Sequence, residues 1–214
     1  MDGTYDVVVV GGGHAGAEAA HAAARLGART LLVSMTLDRL GAMSCNPAVG
    51  GVGKGQLVRE VDAMGGLMGR AADATGIQFR MLNTSKGAAV HSPRCQSDRA
   101  AYSAWVRGAL EGTPGLAFRQ DEVVDLRVDA DGRVAGVVTA LGAEIGARAV
   151  VVTAGTFLGG TIHVGTRQSS GGRAGEAAAV GLTAALHRLG LDAFLTLGNK
   201  KGVDLVVAAP GGAR

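Results

Sequence analysis

Val7-Val8-Val9-Val10-Gly11-Gly12-Gly13-His14-Ala15-Gly16 runs an apolar strand straight into Gly-x-Gly-x-x-Gly, and Ala17 to Leu26 continues as an alanine-rich helix. Each glycine has a separate physical reason. Gly11 permits the tight turn after the strand, Gly13 carries no side chain to obstruct a pyrophosphate, and Gly16 lets the helix lie close to the sheet. The N–H groups and dipole at the helix start then face phosphate oxygens. In a chain with 36 glycines the glycine pattern alone is weak. The strand before it and the helix after it give it weight; the alternative is a strand–helix turn that binds nothing.

A dinucleotide site of this kind usually has Asp or Glu at the end of the second strand, bonding a ribose hydroxyl. That strand, residues 29–34, ends in Ser34-Met35-Thr36, and the first acid is Asp38 in the loop beyond. The spacing therefore leaves NAD and FAD both open. Gly50-Gly51-Val52-Gly53-Lys54-Gly55 looks like a phosphate-binding P-loop but lacks two of its requirements: Ala48 stands where the first Gly belongs, and Gly55 where Ser or Thr must follow the Lys.

Strand 5–10, helix 14–27 and strand 29–34 form a right-handed βαβ unit. Residues 36–55 read as a long glycine-rich loop, and a helix is predicted over 55–72, with Leu57, Val61, Met64 and Met68 at helical spacing. Residues 76–90 mix short extended pieces with turns. A helix over 96–110 places Tyr102, Trp105 and Val106 on one face. Strands follow at 116–119, 123–128, 134–139 and 149–153, with Asp129-Ala130-Asp131-Gly132 as a hairpin turn. A last helix is expected over 175–189, its start at Gly171-Gly172-Arg173-Ala174-Gly175 being a second candidate anion site. The fold class is α/β: a doubly wound parallel sheet with an inserted β-meander. In such sheets ligands sit at the carboxyl ends of the strands, where Gly11–Gly16 and Ala154–Thr156 converge.

The 214 residues are 47% hydrophobic, 18% charged and 3% aromatic, which suits a globular domain with a core of Ala, Val and Leu. No apolar run reaches the ~20 residues of a membrane span. Met1-Asp2-Gly3-Thr4 lacks the features of a signal peptide, and two cysteines are too few for a disulfide framework, so a cytoplasmic protein is expected. No His/Cys set has metal-ligand spacing. The net charge of +3 permits an acidic partner without requiring one; the nearest basic cluster is Lys86, His91, Arg94 and Arg99, with Arg107 further on. On charge alone this is a solvated face.

Several longer blocks carry a resemblance: Met43-Ser44-Cys45-Asn46-Pro47 through Lys54-Gly55, Val58-Arg59-Glu60-Val61-Asp62-Ala63-Met64-Gly65-Gly66, Gly76-Ile77-Gln78-Phe79-Arg80-Met81-Leu82-Asn83, Ser85-Lys86-Gly87, Gly155-Thr156-Phe157-Leu158-Gly159-Gly160 and Ser170-Gly171-Gly172-Arg173-Ala174-Gly175. In this order and spacing the chain resembles the amino-terminal part of the MnmG or GidA family of tRNA-modifying flavoproteins, over roughly residues 5 to 190. The resemblance implies a Rossmann-like FAD-binding domain over 1–190. It implies that Gly11, Gly12, Gly13, His14, Ala15, Gly16, Val123, Gly155 and Thr156 hold FAD, with the Val123 backbone against the adenosine half. It makes Cys45 a catalytic candidate and Lys54, Lys86, Arg94 and Arg99 candidates for tRNA contact, Lys54 lying in a loop along the flavin. Cys95 matches no family cysteine.

By the same resemblance the activity is 5-carboxymethylaminomethyl modification of the tRNA wobble uridine, with NADH as reductant and a folate as one-carbon donor. The implied partners are tRNA, an MnmE-type GTPase and a second copy of the chain. The match departs in two places. Glu176-Ala177-Ala178-Ala179 replaces the family's Asp, prolines and cofactor-contacting serine. From about Gly190 the family's basic block is absent, so 191–214 is expected as a divergent tail and the chain as a shortened copy. Two further readings are a binding-only FAD module without turnover and a folate- and FAD-dependent tRNA methyltransferase relative.

Overall fold

The computed structural model of the protein describes residues 4–43, 46–173, 175–190 and 206–208. In chain order the elements are β1 (Tyr5–Val10), α1 (His14–Arg25), β2 (Thr30–Ser34), β3 (Ala48–Gly50), α2 (Lys54–Ala63), α3 (Met68–Thr75), β4 (Gly76–Leu82), β5 (Ser92–Ser97) and α4 (Arg99–Glu111). They continue with β6 (Leu116–Gln120), β7 (Val123–Val128), β8 (Val134–Thr139), β9 (Glu144–Val152), β10 (Thr161–Val164), β11 (Arg167–Ser170), α5 (Gly181–Arg188) and β12 (Val206–Ala208). Short 3-10 turns occupy Leu37–Arg39, Ala88–Val90 and Gly155–Phe157. The chain divides into two compact units, residues 1–37 with 115–214, and residues 38–114.

The first unit is built on a sheet in the order β6-β2-β1-β9-β8-β7. Its β6, β2, β1 and β9 run parallel, whereas β9, β8 and β7 are antiparallel and form the expected meander. This is the α/β, Rossmann-like architecture read from the sequence. Strand β9 is longer than expected: Glu144–Gly146 close the meander on β8, and Ala147–Val152 continue as the parallel neighbour of β1. One strand therefore serves both halves of the sheet. Within the stretch expected as a tail, β12 pairs antiparallel with Val150–Val152 of β9.

Register explains the near-continuous valine runs. Val8 lies between Leu31 and Val150, and Val10 between Val33 and Val152, all on one face. They form a buried cluster with Val123, Leu126, Val137 and the α5 residues Leu182, Ala185 and Leu186. Val9 and Leu32, both fully buried, alternate to the other face. Helix α1 packs on β1 and β2 with only small residues, Gly16, Ala17, Ala20 and Ala24, besides His21. Burying each Val or Leu is worth about 1.5–3 kcal/mol, so strands covered on both faces outweigh a poor aromatic content.

The second unit is a three-stranded antiparallel sheet, β3-β5-β4, with α2, α3 and α4. Three predicted elements change here and in the first unit. The single helix over 55–72 is two helices, because Gly65 adopts φ +86° and its N–H and that of Gly66 turn back to the carbonyls of Asp62 and Val61. The helix predicted from 96 starts at Arg99: Asp98 caps it by accepting the Ala101 N–H at 2.8 Å, while residues 92–97 are taken into the sheet. The last helix starts at Gly181 rather than 175, since Ala179 exchanges hydrogen bonds with Phe157 and Gly159. The anion-binding helix start proposed at Gly171–Gly175 is therefore absent, and Arg173 instead pairs with Glu176 at 2.8 Å.

Asp121 is the most heavily bonded carboxylate described. It is buried at the end of β6, meets Arg119 at 3.2 Å, and accepts the N–H of Glu122 at 2.9 Å. Burial alone would raise its pKa; hydrogen bonds from the Thr139 hydroxyl, Arg119 and the Glu122 and Leu141 amides outweigh burial and hold it below the ordinary 3.8. The stability it confers is fully present above 3.8 and is lost as pH falls below that through the depressed folded value. Asp121→Asn should cost about 1.5–3 kcal/mol at neutral pH and flatten the acid limb of the stability curve, as read by urea unfolding at stepped pH. An unchanged acid limb would contradict this role.

Candidate functional site

The first unit brings four strand ends together through backbone bonds. The Gly11 N–H donates to Val33 O at 2.8 Å, the Thr153 N–H to Val10 O at 2.8 Å, and the Asp121 N–H to Ser34 O at 3.0 Å. The carboxyl ends of β6, β2, β1 and β9 are thus tied into one rim, and the glycine turn after β1 sits in the middle of it. This is where an open parallel sheet places a ligand.

The three motif glycines are not equivalent. A Cβ on Gly11, whose φ is +109°, would lie 2.6 Å from Thr153 O. A Cβ on Gly16 would lie 1.8 Å from Gly11 O and 2.7 Å from Thr153 Oγ1. A Cβ on Gly13 would meet nothing within 4 Å. Gly11 and Gly16 are therefore required by the protein's own packing, whereas Gly13 faces open space at the helix start. Gly13 therefore leaves the helix start open to a ligand. The Ala17 N–H closes the first helical turn on Gly13 O at 2.9 Å, so the Ala15 and Gly16 amides precede the first i→i−4 bond. The first turn contains no carboxylate to compete for them.

Thr153 was not singled out in the sequence, yet it locks the site. Its hydroxyl lies 2.9 Å from Val10 O and 3.1 Å from Gly11 O, donating across the junction of β1 and β9. The only sequence signal was its place at the end of a strand before a glycine turn. Beside it, Gly155 has φ +55° and open space above its Cα. Thr156 is exposed, and its hydroxyl donates to Gly172 O at 3.0 Å. Val123 is buried at the start of β7, two residues past Asp121 on the same rim. The structure thus gathers Gly11, Gly12, Gly13, His14, Ala15, Gly16, Val123, Gly155 and Thr156 in one unit.

Among the described residues no acid stands at the end of β2. β2 ends in Ser34, while Asp38 lies in the following 3-10 turn and is paired with Arg107 at 2.6 Å. Among the described residues no group of three or more His, Cys, Asp or Glu is placed to hold a metal.

In the second unit, Lys54 is the exposed first residue of α2, Lys86 sits on the β4–β5 hairpin loop, and Arg94 is half-buried on β5. Arg99 opens α4. The structure gathers Lys86 and Arg94 on one hairpin and adds a residue the sequence did not single out, Arg80, paired directly across from Arg94. Cys45 lies outside the described residues. Cys95 is buried against the Ala72 carbonyl and Ser97 Oγ, each at 3.5 Å, as a small core residue.

His14 stands at the mouth of the glycine turn. Burial lowers its pKa below the ordinary 6.5, and Glu18 one turn on only partly restores it. The imidazole is neutral at pH 7. Because the unfolded chain takes up a proton that the folded site resists, His14 erodes stability as pH falls through about 6.5. His14→Gln should make stability between pH 7 and pH 5.5 less pH-dependent, measured by thermal unfolding; an unaltered profile would contradict the assignment.

The comparisons with known proteins agree with this geometry. The family model described as glucose inhibited division protein A matches residues 6–202. The chain is 56% identical over 189 residues to the tRNA uridine 5-carboxymethylaminomethyl modification enzyme MnmG of Flavobacterium johnsoniae, covering 88% of this chain and 30% of that protein. The solved structure of Aquifex aeolicus GidA superposes with a TM-score of 0.83 at 52% identity, over 86% of this chain and 30% of that one. A GidA-related protein from Thermus thermophilus gives 0.64 at 26% identity, over 88% and 69%. The chain spans about 30% of the length of the full relatives. No helix among the described residues is long and apolar enough to cross a membrane. A parallel sheet with a packed Gly-x-Gly-x-x-Gly turn, matched over nearly its whole length, makes this chain a member of the GidA family, corresponding to its amino-terminal, FAD-binding region.

Proposed function

We propose that this chain holds FAD in the crevice at the carboxyl ends of β1 and β9, as the flavin-binding part of a cytoplasmic tRNA wobble-uridine modification system. The observation that carries the reading is the open space over Gly13, flanked by two glycines that packing leaves no room to change. The Gly11 turn and the Ala15 and Gly16 amides bind the pyrophosphate, with the helix dipole adding to them. The neutral His14 imidazole borders the phosphates, Gly155 and Thr156 form the neighbouring wall, and the Val123 backbone lies against the adenosine half. When bound, the flavin supplies electron and hydride transfer, and the protein supplies its position and surroundings.

The wider assignment follows the family resemblance of the sequence. NADH is the reductant, a folate supplies the one-carbon unit, and tRNA is the substrate, contacted by Lys54, Lys86, Arg94 and Arg99. Cys45, in Ser44-Cys45-Asn46-Pro47, is the proposed catalytic thiol. An MnmE-type GTPase and a second copy of the chain are the proposed partners.

The test is flavin retention. Purified protein is mixed with FAD, desalted, and its visible spectrum recorded. Wild type should keep flavin with a perturbed spectrum. Gly13→Ala should lose it while costing under about 1 kcal/mol of stability, because its Cβ enters empty space and only a helix cap is altered. Gly16→Ala should cost about 3 kcal/mol or more, since its Cβ collides with a backbone oxygen. A Gly13→Ala protein that retains flavin as well as wild type would overturn the site.

A further inference from the structure

The excess positive charge of the chain is confined to one unit. Residues 38–114 carry nine Lys and Arg against six Asp and Glu, while the other unit carries twelve of each. Within residues 38–114 it is confined further. Between Asp73 and Asp98 there is no acid, and this stretch holds Arg80, Lys86 and Arg94, all on the β4–β5 hairpin.

The register sets two of these charges side by side. Arg80 of β4 pairs directly with Arg94 of β5, so their side chains leave the same face with Cβ atoms about 4.5–5.5 Å apart. Like charges directly opposite one another destabilise a sheet. Neither arginine has an ion pair or hydrogen bond to a carboxylate among the described residues. By contrast Arg107, Arg119, Arg127, Arg148 and Arg173 are each paired. The third position of the row is Gly50 on β3, which has no side chain to cover Arg94. The next row on this face is Gln78, Gln96 and Ala48, which adds two amide groups able to donate hydrogen bonds. Apolar Phe79, Cys95 and Val49 alternate to the opposite face.

We propose that Arg80 and Arg94 form a clamp for one phosphodiester group of RNA, with Gln78 and Gln96 beside it and Lys86 extending the basic ribbon along the hairpin. Two guanidinium forks on one face can each give paired N–H···O bonds to a phosphate, and the bound anion cancels their repulsion. The proposal rests on the reading of tRNA as substrate and gives it a place on the molecule.

The experiment measures binding of a tRNA transcript by fluorescence anisotropy at several salt concentrations. The proteins are wild type, Arg80→Gln, Arg94→Gln, the double variant, Arg80→Lys, and Arg133→Gln as a charge-matched control in the other unit. Each Gln variant should weaken binding about tenfold, and the double variant should lower the salt slope by close to one phosphate contact. Arg80→Lys should keep the slope and lose affinity, because the charge stays and the fork is gone. The double variant should unfold at the same or a higher temperature than wild type, since it removes a repulsion. Binding by the wild type with an unchanged slope in the double variant would overturn the clamp and leave the tRNA reading standing. No tRNA binding by the wild type would overturn both. Loss of FAD retention in the double variant with tRNA binding intact would assign the pair to the cofactor phosphates and overturn the proposal.

Discussion

The contact between the start of α1 and the Gly11 carbonyl governs the crevice. A Cβ on Gly16 would stand 1.8 Å from that oxygen, so the helix approaches the strand end more closely than any residue with a side chain would allow. Thr153 holds the other side, reaching from β9 to the Val10 and Gly11 carbonyls. Those carbonyls are engaged by the protein, while the Ala15 and Gly16 N–H groups precede the first i→i−4 bond and are left for an anion at the helix start. A phosphate ligand needs that polarity. The small residues Ala17, Ala20 and Ala24 maintain the close approach along the rest of the helix.

The first unit therefore divides its labour along each strand. The middles of β1, β2 and β9 are valine and leucine buried on both faces, which fixes their register. Their carboxyl ends carry the turns and polar side chains that a ligand meets. Asp121 and Ser34 tie the end of β6 to that of β2, and Gly11 and Thr153 bind β1 to both neighbours. Strand β9 joins the meander to the parallel half, so residues far apart in the chain come to one rim. In the unit of residues 38–114 the charge follows a different logic: acids are kept off the β4–β5 hairpin, and its two facing arginines are placed in register with no carboxylate ion pair among the described residues.

What was legible in the sequence was local. The β1–turn–α1–β2 unit could be read because its glycines and apolar period lie within 30 residues, and the Asp129–Gly132 turn marked the β7–β8 hairpin just as plainly. Helix α2 was overrun because its apolar spacing continues past Gly65, and only the φ +86° there ends it. Strands β3 and β5 were missed because Ala48–Gly50 and Ser92–Ser97 have little strand character of their own; the pairing of β5 with β4, and of β3 with β5, makes them strands. The pairing of Arg80 with Arg94 is a matter of register and could not be read from spacing. Of the proposed site, the glycine turn was plain from its order, whereas Thr153 and Asp121 depend on which strand ends become neighbours.

In the proposed site the β1–α1 turn binds the FAD pyrophosphate through its own backbone amides. Its most direct test is the amide spectrum of isotopically labelled protein during titration with FAD. Large downfield proton shifts are expected at Gly13, His14, Ala15 and Gly16, reproduced in part by ADP and absent with riboflavin, which has no phosphate. Shifts centred elsewhere, or equal responses to riboflavin and FAD at these amides, would contradict it.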